Sequence, residues 1–165
     1  MTYNETLNYI HSLGKFTYEA GLDRIKKVCE ILKNPQNGFK AIHIAGTNGK
    51  GSTAVFCAEM LKTAGYKTGL FISPFVVDFR ERIQINGEYI SENDLCEFSK
   101  KVIETNVSLN EFEFITAVAF AYFGAKNIDV GVIEVGMGGR LDATNVLNNK
   151  SVSVITTRLF PESHI

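Results

Sequence analysis

The 165-residue chain has no tryptophan, only three prolines and three cysteines, and a formal net charge of -1. A charge so close to zero gives no support for nucleic-acid or anionic-membrane binding as the main role. No apolar run approaches the length of a membrane span, and the polar N-terminus Met-Thr-Tyr-Asn-Glu is unlike a secretory signal. We therefore expect a cytoplasmic protein that binds neither nucleic acid nor membranes.

Cysteine and histidine are too scattered for a metal site built from these residue types. Cys29, Cys57 and Cys96 form no C-x-x-C pair, and each falls in a predicted helix, where cysteine packs as a small apolar residue. The three histidines are equally dispersed, which argues against a three-histidine site. The hydrophobic content of 45% and the length suit a single compact domain.

The most informative stretch runs from Gly46 to Thr53 and reads Gly-Thr-Asn-Gly-Lys-Gly-Ser-Thr. It follows a predicted strand over residues 39–45 and precedes a predicted helix that reaches residues 64–65. A strand, a glycine-rich turn with lysine and a helix, in that order, are typical of a polyphosphate site. We expect Lys50 to meet the β- and γ-phosphates, and a hydroxyl from Ser52 or Thr53 to meet Mg²⁺.

This spacing departs from the standard G-x-x-x-x-G-K-[ST] phosphate loop. Ile44 stands where that pattern has its first glycine, and Gly51 stands where it has its hydroxyl. The alternative is an ordinary glycine-rich turn between a strand and a helix, with an exposed lysine. The order of strand, glycines, lysine, hydroxyls and helix favours nucleotide phosphate without naming the reaction.

The remaining pattern predicts an α/β fold with a doubly wound, mainly parallel sheet, because predicted strands alternate with helices. Thr2 with Glu5 and Ser91 with Asp94 resemble helix starts, and Asn86-Gly87 indicates a hairpin. Further predicted elements are helices over residues 22–32, 91–103 and 111–124, and strands over 67–73, 128–135 and 151–157. Arg80 and Arg82 lie before the hairpin, where exposed charges are a commoner explanation than a phosphate or carboxylate contact.

Two polar residues at strand ends complete the candidate site. Ser73 closes one predicted strand at the edge where open α/β sheets bind ligands. Glu134 interrupts an apolar strand, where a buried carboxylate without a partner would be costly. Its partner is either Mg²⁺, which we favour, or a structural cation such as Arg140.

In the same order and spacing, several motifs resemble the folylpolyglutamate synthase/dihydrofolate synthase family of the Mur ligase superfamily. They are Tyr9–Leu13, Gly21–Ile25, Gly46–Ser52, Ser73-Pro74-Phe75 with Glu81-Arg82-Ile83, Asn86-Gly87, Phe112–Phe114, and Ile133–Gly136 with Gly138–Asn145. The resemblance extends from the N-terminus to about Thr157. It implies the phosphate-loop NTPase-like architecture of a Mur ligase central domain.

The resemblance also implies an activity and a set of site residues. The activity is ATP-dependent ligation of L-glutamate to dihydropteroate or a folate through an acyl phosphate, with ATP and Mg²⁺ required. The phosphates of ATP would be bound by residues 46–53, and Lys50 would stabilise the phosphoryl group as it is transferred. Ser73 and Glu134 resemble the Mg²⁺ ligands. Candidate pteroate contacts are Thr17, Tyr18, Glu19, Ala20, Leu141, Asp142 and Ala143.

The match weakens after Thr157, and His164 is not at the family's spacing for a metal ligand. We interpret residues 1–157 as the N-terminal part of the ATP-binding domain, residues 158–165 as a divergent tail, and the C-terminal glutamate-binding domain as absent. On this interpretation the chain is a monomer that does not turn over alone. The alternatives are a nucleotide-binding fragment without catalysis and another Mur-type amino-acid ligase.

Overall fold

The computed structural model describes residues 1–14 and 21–157 of the chain. Its helices are α1 (Tyr3–Ser12), α2 (Asp23–Ile31), α3 (Lys50–Thr63), α4 (Glu92–Ile103) and α5 (Glu111–Ala125). Its strands are β1 (Lys40–Ala45), β2 (Thr68–Phe71), β3 (Ile83–Ile85), β4 (Glu88–Tyr89), β5 (Val130–Glu134) and β6 (Lys150–Ile155). Short 3-10 turns cover Pro35–Asn37, Phe79–Arg82 and Ala143–Val146.

Within the described residues the strands form one six-stranded sheet in the order β4-β3-β2-β5-β1-β6. The pairs β2/β5, β5/β1 and β1/β6 are parallel, whereas β3 and β4 form an antiparallel extension beside β2. The prediction of a mainly parallel α/β sheet is confirmed. Because the four parallel strands run the same way, the carboxyl ends of β1, β2 and β5 meet at one edge, where ligands bind in open sheets.

Alternation along the strands divides the interior into two cores of unequal size. On one face, Ile44, Leu70 and Val132 pack with Ala54 of α3 in a small cluster. On the opposite face, residues such as Phe71 and Ile133 join α5 and the other helices in the large core. The prediction that the central part of α5 is buried nearly all round is confirmed, since residues 113–123 are all buried.

The helix starts and the hairpin follow from local chemistry. Thr2 accepts a hydrogen bond from the Glu5 amide while the Glu5 side chain accepts from the Thr2 amide, which is a complete capping box. Ser91 accepts from the Asp94 amide at the start of α4. Asn86 and Gly87 have φ angles of 52° and 82°, as a type I′ turn between β3 and β4 requires. These three predictions are confirmed.

Candidate phosphate and metal site

The phosphate loop leaves β1 after Ala45 and enters α3 at Lys50. Gly46 and Gly49 have φ angles of 136° and 78°, a region that side chains rarely occupy. Gly49 is the N-cap of α3 and gives it no side-chain hydrogen bond. The amides of the first turn therefore remain available to an anion, and the helix dipole adds partial positive charge at the same point.

Two threonines that follow β6 brace this loop. The Thr47 amide donates to the Thr157 carbonyl over 2.8 Å, and the Asn48 amide donates to Thr157 Oγ1 over 3.1 Å. Thr156 Oγ1 donates to the Asn48 carbonyl over 2.6 Å. The sequence pattern predicts both threonines at the end of a strand but does not predict this role. Hydroxyl residues at the carboxyl end of a strand beside the phosphate loop were the available signal.

Lys50 is partly buried and folds back over the loop, where its Nζ donates to the Gly46 carbonyl over 2.9 Å. Ser52 is exposed on the first turn of α3, and Thr53 is partly buried. The Thr47 hydroxyl is buried, with no hydrogen-bond partner in the part of the chain that the structure describes. The loop therefore brings a full positive charge, main-chain amides and hydroxyl groups to one turn.

Glu134 is the last residue of β5 and lies across from the phosphate loop. It pairs in register with Ile44 of β1, and alternation directs its side chain to the face that carries α3. A Cβ atom built on Gly51 would lie 3.5 Å from Glu134 Oε2. The absence of a side chain at Gly51 thus leaves space between the carboxylate and the first turn of α3.

The Glu134 carboxylate is 4% exposed and accepts a hydrogen bond from the Ser73 amide over 2.9 Å. Burial raises the pKa of this carboxyl, while the Ser73 amide and the charge of Lys50 oppose the rise. No basic group comes within salt-bridge distance of it across residues 1–14 and 21–157, so Arg140 is not its structural partner. The structure brings Ser73 and Glu134 together, as the sequence predicted.

These residues fit Mg²⁺ better than a metal that prefers protein nitrogen or sulfur. Mg²⁺ uses few protein oxygens and fills its shell with water and phosphate. A buried carboxylate, the neighbouring Ser73 and the hydroxyls of α3 offer such oxygens. Over the described ranges, no group of three or more histidine, cysteine, aspartate or glutamate side chains is arranged to hold a metal by itself.

The loop after β5 contains the predicted contacts Leu141, Asp142 and Ala143. Leu141 is 43% exposed, Ala143 is buried, and the Asp142 carboxylate is directed into the loop, where it accepts from the Met137 amide over 2.9 Å. Asp142 also caps the following 3-10 turn through the Thr144 amide. The other predicted contacts, Thr17 to Ala20, lie outside the described residues.

Arg82 is not the exposed charge that we predicted. It is 9% exposed, and its guanidinium lies 5.3 Å from the centroids of both the Phe75 and Phe79 rings. Its Nη2 atom is 3.7 Å from Glu111 Oε1. The two phenylalanines that precede the arginine in sequence, Phe75 and Phe79, were the missed signal, because a guanidinium stacks on aromatic faces. Arg80 instead pairs with Asp78 over 2.6 Å.

The chain was compared with known proteins by sequence. No protein-family model matches it. It is 41% identical over 165 residues to the folylpolyglutamate synthase of Lacticaseibacillus casei, and 38% identical over 164 residues to the dihydrofolate synthase/folylpolyglutamate synthase of Bacillus subtilis. Each match covers 94% of this chain and 38% of the relative. The chain thus spans about two fifths of the length of these relatives.

Solved structures give the same result for the fold. A complex described as FPGS-AMPPCP-folate superimposes with a TM-score of 0.89 and 41% identity, over 94% of this chain and 40% of the other. The E. coli FolC complex with DHPP and ADP has a TM-score of 0.91 and 32% identity, over 99% of this chain and 40% of that one. In sequence and in fold, the chain is similar to the N-terminal part of folylpolyglutamate synthases and dihydrofolate synthases.

Proposed function

We propose that this chain forms the ATP-binding part of an ADP-forming ligase that joins L-glutamate to dihydropteroate or to a folate. One observation carries the proposal: an uncapped helix start with Lys50 faces the buried carboxylate of Glu134 across the space left by Gly51. The relatives with the same fold include complexes with AMPPCP and folate and with DHPP and ADP, which supports the choice of nucleotide and substrate class.

Within this proposal, residues 1–157 are the N-terminal part of the ATP-binding domain, and residues 158–165 are a divergent tail. We place a C-terminal glutamate-binding domain, which this chain would lack, in the part of the relatives' length that it does not match. In the described residues no helix is both long enough and apolar enough to span a membrane. We further propose a monomer that acts in the cytoplasm.

The phosphate groups of ATP would lie against the loop of residues 46–53, where the amides at the start of α3 are not used by a side-chain cap. Lys50 Nζ would exchange the Gly46 carbonyl for the β- and γ-phosphates, which requires only rotation of its side chain. The hydroxyl of Ser52 or Thr53 would face the metal. Preorganised amides and a fixed positive charge stabilise the charge that develops as the phosphoryl group moves.

Ser73 and Glu134 would hold Mg²⁺, which when bound neutralises negative charge on the phosphate oxygens. Glu134 suits this role because its carboxylate is buried and lacks an ion-pair partner among the described residues. The Ser73 amide already orients one carboxylate oxygen, so the second oxygen is left to a cation.

The reaction requires the protein to position the reactants and does not require a nucleophile from the protein. The carboxylate of dihydropteroate or folate would attack the γ-phosphorus of ATP, which breaks the bond to ADP and forms an acyl phosphate. The amine of L-glutamate would then attack the acyl carbon, lose a proton and release phosphate. Residues 17–20 and 141–143 would orient the pteroate part, so that its carboxylate lies near Lys50.

Nucleotide binding by the 165-residue chain tests the first part of the proposal. MgATP should bind, and Lys50→Ala should weaken binding about 10- to 150-fold, because a charged hydrogen bond contributes about 1.5–3 kcal/mol. Lys62→Ala is the matched control, since Lys62 lies in the last turn of the same helix and pairs with Glu59. Equal affinities for the wild type and Lys50→Ala would refute the phosphate assignment.

A chimera tests the ligase activity. Residues 1–157 would replace the matching segment of the Lacticaseibacillus casei enzyme, and ADP release would be followed with a folate, dihydropteroate or a UDP-muramyl substrate, each with L-glutamate. Folate- or dihydropteroate-dependent turnover supports the proposal. Turnover with only the UDP-muramyl substrate would identify another Mur-type ligase. MgATP binding without any turnover would support a nucleotide-binding role alone.

A further inference from the structure

Three buried polar side chains connect β1 to the loop that follows β5. His43 is 7% exposed, Thr144 is fully buried and Asp142 is 7% exposed. His43 Nε2 lies 2.7 Å from Thr144 Oγ1, which in turn lies 2.5 Å from Asp142 Oδ1. Residues 101 positions apart in the chain are thereby joined by two short hydrogen bonds.

The acceptors on Asp142 fix the direction of this chain of hydrogen bonds. Asp142 Oδ1 accepts from the Thr144 amide over 3.0 Å, and Oδ2 accepts from the Met137 amide over 2.9 Å. Burial raises the pKa of the Asp142 carboxyl, and the hydrogen bonds from the Thr144 hydroxyl and from main-chain amides oppose that rise. Main-chain N–H groups can only donate, so they favour the ionised carboxylate. The Thr144 hydroxyl has a single hydrogen, which it donates in a hydrogen bond to the ionised Asp142.

The oxygen of Thr144 must then accept from His43. This requires a hydrogen on Nε2 of the imidazole, and it leaves Nδ1 without one in the neutral ring. Burial, and to a smaller extent the charge of Lys150, lowers the pKa of His43 to about 4, so the ring is neutral at pH 7. The hydrogen bonds therefore run from His43 through Thr144 to Asp142.

Asp142 ties together the two ends of the loop that begins directly after Glu134. Its carboxylate holds the Met137 amide near the start and the Thr144 amide near the end, while its own amide donates to the Gly139 carbonyl over 3.2 Å. The His43 ring also lines, with Gly139 and Arg140, a cavity of about 270 Å³ beneath the same loop. Loss of this ring would leave the loop without its support from β1.

We propose that His43 is a positioning residue, which fixes the Asp142 carboxylate through Thr144 and so holds residues 136–142 against the strand that leads into the phosphate loop. The proposal rests on the proposed function, because the importance of this loop comes from the candidate substrate contacts Leu141 and Ala143. His43 lies three residues before Gly46 on β1. One element thus supports both halves of the candidate site.

Nitrogen NMR of the full chain with labelled histidine tests the direction of the hydrogen bonds without any ligand. The His43 signal, assigned from its disappearance in His43→Gln, should show the neutral tautomer with hydrogen on Nε2 at pH 7. Replacing Thr144 by valine should alter that signal, whereas replacement by serine should preserve it. A neutral ring with hydrogen on Nδ1, or a charged ring, would overturn the proposal.

Amide hydrogen exchange tests the consequence for the loop. The Met137 and Thr144 amides should be protected in the wild type and in the two variants that keep the hydrogen-bonding group, His43→Gln and Thr144→Ser. They should exchange at least tenfold faster in His43→Phe and Thr144→Val, which keep a similar volume without that group. Equal exchange in all four variants would overturn the proposal, while unfolding of His43→Phe would leave the comparison of Thr144→Ser with Thr144→Val decisive.

Ligand binding separates this proposal from the proposed function. Dihydropteroate binding should weaken about tenfold in Thr144→Val and recover in Thr144→Ser, with MgATP affinity unchanged in both. If dihydropteroate fails to bind the wild type, the proposed substrate class fails, and the tautomer and exchange measurements still decide the role of His43. Equal dihydropteroate affinities of the valine and serine variants would overturn the positioning role.

Discussion

Gly46→Ala tests whether the phosphate loop depends on close contact with the residues after β6. A Cβ atom on Gly46 would lie 2.2 Å from Thr156 Oγ1 and 3.1 Å from the main-chain nitrogens of Thr156 and Thr157. The φ angle of 136° adds a backbone cost of about 1–2 kcal/mol, and overpacking adds about 1–3 kcal/mol. A gain of about 0.4–1 kcal/mol from the less flexible unfolded chain offsets part of this, which leaves a net loss of about 1–5 kcal/mol.

Urea unfolding measures the loss. With a denaturant slope of about 2 kcal/mol per molar urea, the midpoint should fall by about 0.5–2.5 M. Gly65→Ala is the matched control, because Gly65 has a φ angle of 91° but nothing within 4 Å of the added Cβ. It should lose no more than about 1–2 kcal/mol, since it bears the backbone cost alone.

The double variant Gly46→Ala/Thr156→Ala isolates the steric part. It removes the hydroxyl that overlaps the new Cβ, so its loss of stability should be smaller than the sum of the two single losses by about 1–2 kcal/mol. The reasoning is refuted if Gly46→Ala and Gly65→Ala shift the midpoint equally. MgATP affinity measured on the same variants should fall with Gly46→Ala and stay unchanged with Gly65→Ala.

Three further predictions concern buried ionisable groups. Glu134→Gln should remove the Mg²⁺ dependence of ATP binding in titration calorimetry without lowering stability in the absence of Mg²⁺; an unchanged Mg²⁺ effect would contradict the metal assignment. Glu113→Ala should lower the free energy of unfolding by about 2–3 kcal/mol, because Glu113 forms a salt bridge with Arg24 over 3.0 Å and a capping box with Asn110 at the start of α5. A Glu113→Gln variant that is equally unstable would assign the loss to the ion pair. His43 has a pKa of about 4 in the folded chain and about 6.5 when unfolded, so its contribution to stability is present above pH 6.5 and is lost as the pH falls through 4. Between these two pH values, the free energy of unfolding measured with urea should fall by about 3 kcal/mol more in the wild type than in His43→Gln. Parallel pH profiles of the two proteins would contradict the assignment.

The local features of the fold could be predicted because they depend on residues three or four positions apart. The capping box of Thr2 with Glu5 and the turn at Asn86-Gly87 are examples, and both are confirmed. The edge of the sheet where the candidate site lies was also predictable, because parallel strands end together there. Ser73 and Glu134 both lie near that edge.

The contacts within the site could not be predicted, because they depend on strand register. Ser73 meets Glu134 through its main-chain amide, a detail that follows from the pairing of β2 with β5. Thr157 braces the phosphate loop across 109 residues of sequence, and no local pattern announces such a contact. His43 was noted only as an isolated histidine, since its partner Thr144 comes near only when β1 and β5 pair.

The two unequal cores have a consequence for the energetics of nucleotide binding. Ala54 is the one fully buried residue of α3, and the apolar side chains of Val55, Phe56 and Met60 are 44–68% exposed. Cys57, Ala58 and Leu61 are partly buried against the small core. Packing therefore stabilises this helix less than it stabilises α5, in which residues 113–123 are all buried. We expect ATP to tighten this packing, which titration calorimetry would show as a heat-capacity change more negative than the contact surface predicts.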